Sequence, residues 1–226
     1  MGATVQSVER AFSILETFDE QHPTRTAADI AAASGLARPT TYRMLQTLRR
    51  LGYVRNVNGQ FEVTPRVLRL GAGYLGRASL AARAQPTLDT VSEELGEHIA
   101  VGVLDGDEVI TLAAANSPQS RYLAVAVRVG QRLPAELTSL GRVLLAHRRG
   151  ADDEEFRRIR SDGYVVSDGL LETGLRSLAV PIRDHTGDVI ASLSIAVNAG
   201  RVSVEELEQV SLPRLHAAAE SIGALV

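Results

Sequence analysis

The chain has no cysteine, which excludes disulfides, thiolate metal sites and a cysteine nucleophile and leaves no sign of an oxidising compartment. Lysine is missing too, since all 24 basic residues are arginine. The guanidinium fork suits phosphates and guanines, but the bias runs through both halves of the chain and is better explained by the base composition of the gene. No run of about 18 apolar residues exists to cross a bilayer, and residues 1–10 lack the basic-then-apolar order of a secretory signal. A cytoplasmic location with no membrane partner is the expectation.

Catalytic and cofactor signatures are equally scarce. His22, His98, His147, His185 and His216 are scattered, with no His-x-x-x-His pair or carboxylate cluster at ligand spacing. No G-x-S-x-G elbow or glycine-rich phosphate loop occurs. Gly71, Gly73 and Gly76 spell G-x-G-x-x-G, but no buried strand precedes them and an arginine-bearing helix follows, so the match is one of letters only. The expectation is a protein that is not an enzyme and has no catalytic residues, metal or cofactor.

What is present is 226 residues, 45 % hydrophobic and 23 % charged, enough for one mid-sized globular domain or two small ones. The net charge of −3 hides an asymmetry: residues 1–79 hold ten Arg against six acids, a balance of +4, and residues 80–226 hold fourteen against twenty-one, a balance of −7. Residues 34–69 carry seven Arg and the single acid Glu62. A basic module on an acidic body points to phosphate binding, with a solvated face as the plain alternative.

The amino-terminal quarter reads as three helices and a hairpin. Val8, Ala11, Leu15 and Phe18 recur at helical spacing, with Ser7 placed to cap. A short alanine-rich helix over residues 26–34 follows, then Gly35 for a sharp turn. A third helix opens at Arg38 with Pro39 in its first turn. At 100° per residue its Thr41, Leu45 and Leu48 face inward. Pro39, Tyr42, Arg43, Gln46 and Arg50 face outward, with Arg38, Thr40 and Arg49 on the shoulders. These are side chains that pair with bases or phosphates when a helix lies in a major groove. Asn58-Gly59 between two short apolar alternations predicts a hairpin over residues 53–64, bearing Arg55. The pattern is a winged helix-turn-helix. Tyr42 either packs under the wing or touches DNA, and a winged helix that binds protein is the competing reading.

Residues 67–77 read as a connecting helix loosened by three glycines. Beyond it the chain predicts a helix over 79–95, bent or restarted at Pro86. Strands follow over 99–104, 108–114 and 122–129, helices over 137–147 and 152–161, strands over 176–183 and 188–197, and one long helix over 203–225. Hairpins backed by helices define an α+β sensor-like body. Thr138 and Ser139 open a helix whose free N–H groups suit a carboxylate, and serines on the late strands are placed to share a cavity with them. Serines that merely cap helices and face solvent are the alternative.

With these residues in view, the chain resembles the IclR family of bacterial transcriptional regulators over nearly its whole length. The resemblance rests on residues 5–11, the recognition segment 38–48, Leu51-Gly52-Tyr53-Val54, Thr64-Pro65-Arg66-Val67-Leu68, residues 103–107, residues 139–146, Gly163-Tyr164 and Gly174-Leu175-Arg176-Ser177. In detail it is similar to the subgroup controlling aromatic-acid breakdown through the β-ketoadipate route. The resemblance implies an α+β protein with a winged helix-turn-helix over 1–66, a linker helix over 67–79, and a GAF-like antiparallel-sheet effector domain over 80–226. It implies a homodimer or tetramer on double-stranded DNA at a pseudo-palindromic operator, and a small organic-acid or aromatic effector. Reading of DNA would fall to Arg38, Pro39, Thr40, Tyr42, Arg43, Gln46, Arg50 and Arg55. Effector contact would fall to Ser139, Leu140, Leu175, Ser177 and Ser194, with Arg176 in the same motif and its direction open. The chain departs from relatives in a short stretch over 147–162, in Ser167 where they often carry an acid, and in Ala196 where some carry a hydroxyl. A pocket that no ligand fills is the alternative those departures leave.

Overall fold

A computed structural model describes residues 4–19, 21–74, 79–117, 128–148, 150 and 152–225. The chain divides into two compact units, Met1–Tyr74 and Leu75–Val226. The division falls within the stretch read as a linker.

In the first unit α1 (Gln6–Leu15), α2 (Ala27–Ser34) and α3 (Arg38–Arg50) pack around Ile14, Ile30, Leu45, Leu48, Val54 and Phe61. Thr26 caps α2 through a reciprocal box with Asp29, satisfying two N–H groups at once. Gly35 closes α2 at φ 68°, in the left-handed region that glycine enters without a Cβ clash. Ser7 lies inside α1 rather than capping it, because the helix starts at Gln6, two residues before the start that a Ser7 cap would set, with Val5 as its N-cap. The hairpin of β2 (Val54–Val57) and β3 (Gln60–Val63) turns at Asn58 and Gly59, both with positive φ, as the primed hairpin turn requires. A further strand, β1 (Thr24–Thr26), pairs with β3. At three residues it is too short to show an alternating pattern. Past a 3₁₀ turn at Pro65–Val67, α4 spans only Leu68–Ala72, shorter than the helix expected.

The second unit is built on one antiparallel sheet. Its strands are β4 (His98–Asp105), β5 (Glu108–Ala115), β6 (Arg132–Pro134), β7 (Val165–Asp168), β8 (Leu175–Arg183) and β9 (Val189–Asn198), in spatial order β6-β5-β4-β9-β8-β7. The helix α5 (Leu80–Leu95) runs through Pro86 without a restart. The strand expected over 122–129 falls outside the described residues except for Arg128 and Val129, which belong to no strand.

Antiparallel register sorts the sheet's side chains by period two. Ile99, Ile195 and Leu178 pair in line and turn to one face, joining Leu88 of α5 and Leu215 in the main core. Their neighbours turn to the other face, where α6 (Ser139–His147) and α7 (Glu154–Asp162) pack. The carboxyl-terminal helix is not the single run expected. It comprises α8 (Val204–Glu206), a π-helical turn at Leu207–Ser211 and α9 (Leu212–Gly223). Pro213 lacks an N–H and its ring crowds the carbonyl four residues back, so the preceding turn widens.

The sheet holds α6 at close range. Ser192 Oγ donates to the Leu140 carbonyl at 2.9 Å, and a Cβ added at Gly141 would come within 2.3 Å of the Ala135 backbone. Gly141→Ala should therefore destabilise the second unit by about 2 kcal/mol or more despite alanine's higher helix propensity, as read from urea unfolding.

Candidate nucleic-acid interface and ligand cavity

The helix α3 has two faces of opposite chemistry. Thr41, Leu45 and Leu48 are buried, and the Thr41 hydroxyl donates to the Ala37 carbonyl, so Thr41 packs rather than reads. Arg38, Pro39, Tyr42, Arg43, Arg49 and Arg50 are exposed, and Thr40 and Gln46 are half-buried at the edges. Tyr42 is 56 % exposed, which removes the reading in which it packs under the wing. Among the described residues no acid pairs with Arg38, Arg43, Arg49 or Arg50. The exposed side of α3 is thus a cationic strip of free guanidinium forks. Arg55 differs: the register places it opposite Glu62, and the two side chains form an ion pair on the wing.

In the second unit a cavity opens between the sheet and the start of α6. About 50 Å³ of it admits the centre of a water molecule, and about 490 Å³ of space is empty once its open mouth is counted. The register explains its floor. His98, Ala196, Ser177 and Ser167 pair in one transverse row across β4, β9, β8 and β7, and Ala100 and Ser194 pair in the next. All six line the cavity. Its roof is Thr138, Ser139 and Leu140, where the Thr138 hydroxyl caps α6 by accepting from Gly141 N at 3.0 Å. Ser139 and Leu140 stand in the first turn, so their N–H groups have no intrahelical acceptor. Leu133, Leu137, Leu170, Leu171 and Leu175 supply apolar walls.

Five of the six residues assigned to the effector, Ser139, Leu140, Leu175, Ser177 and Ser194, therefore meet in one space. The sixth does not. Arg176 stands between Leu175 and Ser177 and so turns to the opposite face of β8, where its guanidinium pairs with Asp168 at 2.6 Å and donates to the Val202 carbonyl at 2.6 Å. Ser192 also misses the cavity, being used to anchor α6.

His98 is the residue that sequence reasoning missed. It is 1 % exposed, its Nδ1 lies 2.5 Å from Asn116 Oδ1, and burial pushes its pKa down from 6.5. The available signal was its place at the head of the apolar run 99–104, where period two sets its face. Ser167, noted as a departure, accepts from Arg142 Nη1 at 3.1 Å. Among the described residues no cluster of His, Cys, Asp or Glu could hold a metal, and no helix is long and apolar enough to cross a membrane.

A winged helix-turn-helix with a cationic outer face, carried on a chain that also holds a partly open cavity, defines a DNA-binding regulator. Residues 7–57 match the IclR helix-turn-helix domain, and residues 72–157 and 153–224 match the carboxyl-terminal domain of bacterial IclR transcriptional regulators. The chain belongs to the IclR family. It is 35 % identical to the Pca regulon regulatory protein of Pseudomonas putida, over 96 % of this chain and 82 % of that one. It is 29 % identical to the p-hydroxybenzoate hydroxylase transcriptional activator of Acinetobacter baylyi, over 98 % and 92 %. The structure of an IclR homologue from Microbacterium hydrocarbonoxydans in complex with 4-hydroxybenzoate superposes with a TM-score of 0.79 at 28 % identity, covering 96 % of this chain and 97 % of that one. These relatives are regulators rather than enzymes, and they support the aromatic-acid subgroup.

Because Arg176 ties strand to loop outside the cavity, Arg176→Ala should lower the stability of the second unit by roughly 1 to 3 kcal/mol, the range for charged hydrogen bonds. Thermal unfolding would register that loss, and calorimetry should find the affinity for any cavity ligand unchanged.

Proposed function

We propose that this regulator reads a pseudo-palindromic operator in double-stranded DNA as a homodimer or tetramer in the cytoplasm, and that an aromatic acid in the α6 cavity shifts its operator affinity. Arg38, Arg43 and Arg50 contact bases or phosphates, with Pro39, Thr40, Tyr42 and Gln46 completing the reading face. The exposed Val8 and Phe12 of α1 and Leu68 and Leu70 of α4 are apolar surface of the kind that self-association covers. The effector half of the reading rests on one observation: hydroxyls, free helix-terminal N–H groups and leucine walls converge in a single space. That combination suits a flat apolar body carrying a carboxylate. Ligand acts only by preferring one arrangement of the DNA-reading heads over another.

Arg43→Ala should weaken operator binding roughly 5- to 100-fold, the worth of a good bidentate contact, in a mobility-shift titration. Arg55→Ala should cost clearly less, because Glu62 already holds that charge. Unchanged operator affinity in Arg43→Ala would remove that residue from the reading face.

Ser177→Leu places a branched side chain in the cavity floor. It should abolish the shift in operator affinity caused by added 4-hydroxybenzoate while leaving DNA binding without ligand intact. A normal response in the folded variant would overturn the effector reading.

A further inference from the structure

We propose that His98 is the specificity-determining residue of the cavity: its bare Nε2 accepts a hydrogen bond from a ligand hydroxyl, so the site selects hydroxylated aromatic acids over the unsubstituted parent. The inference rests on the effector reading of the cavity. Asn116 Oδ1 lies against Nδ1, and an amide carbonyl oxygen can only accept, so the ring hydrogen sits on Nδ1. Burial holds the ring uncharged at neutral pH. Nε2 is then a naked acceptor, buried, with no hydrogen-bond partner among the described residues. Native proteins rarely leave such an atom unmet.

The same cavity presents acceptors' opposite number at the start of α6, where the free N–H groups of Ser139 and Leu140 attract an anion. A carboxylate placed beside the Nε2 lone pair would be repelled. The two polar ends therefore orient a ligand: its acid turns to α6, its ring lies among Leu137, Leu175 and Ala196, and a hydroxyl hydrogen points to His98. A ligand lacking that hydroxyl leaves the buried Nε2 unpaired. Sites built to bond a hydroxyl discriminate strongly against analogues without it, for this reason.

The test is calorimetric titration of the full chain with benzoate, 3-hydroxybenzoate and 4-hydroxybenzoate. The tighter of the two hydroxybenzoates is expected to bind at least about tenfold more tightly than benzoate. In His98→Leu that ratio should collapse to within about twofold while benzoate binding persists. In Asn116→Ala, where the ring hydrogen is no longer held on Nδ1, the ratio should shrink, and this variant decides the matter if His98→Leu does not fold. Equal binding of all three acids by the unmodified protein, or a ratio unchanged in the folded variants, overturns the role of His98 and leaves the effector reading standing. Failure of all three acids to bind the unmodified protein overturns both.

Discussion

Period-two register across β4, β9, β8 and β7 is the constraint from which the second unit's chemistry follows. With Ile99, Ile195 and Leu178 committed to the core under α5 and α9, the residues next to them have no choice of face. Polar His98, Ser177, Ser194 and Ser167 then lie on the other side. A slip of one residue in any strand would exchange the two sets, sending hydroxyls into the main core and isoleucines into the cavity. The large apolar payload of the core makes that slip prohibitive, so the core face enforces the arrangement of the polar face. Ser192 carries the same logic one row further, using its inward position to tether α6 by a buried hydrogen bond.

In the first unit the equivalent constraint is the 3.6-residue period of α3. Burial of Leu45 and Leu48 leaves four arginines on the exposed side with no acid among the described residues to neutralise them. Isolated like charges on one helix repel one another and add nothing to the stability of the free protein. Their energetic return comes when an anionic partner arrives, which is what a nucleic-acid face requires. Charge pairing separates these residues from Arg55, whose cross-strand partner Glu62 is part of the hairpin itself.

Much of this is legible in the order of the amino acids alone. The three helices, the Asn58-Gly59 turn, the inward and outward faces of α3 and most sheet strands follow from periodicity and turn chemistry, because these signals span a few neighbouring residues. Short elements escaped: β1 and β6 have three residues each, below the length at which alternation can be seen. The break in the carboxyl-terminal helix escaped as well, since Pro213 reads equally as the first turn of a helix or as an interruption of one. Five cavity residues were found through motif resemblance, and Arg176 was carried with them because a linear motif does not distinguish the two faces of a strand.

Local order along the chain determined which segments are helical or extended, which arginines face outward, and that a basic head is joined to an acidic body. Tertiary structure alone decided which distant residues share a space. Strand pairing brought His98, Ser177 and Ser167 into one row from three separate stretches, and packing of α6 over that row made a cavity of it. It also decided protonation, because whether an imidazole is a charged donor or a bare acceptor depends on burial and on a neighbour such as Asn116, eighteen residues away in the chain. Sequence encodes the period of each element, whereas the dielectric and hydrogen-bond environment of a side chain exist only once the elements have packed.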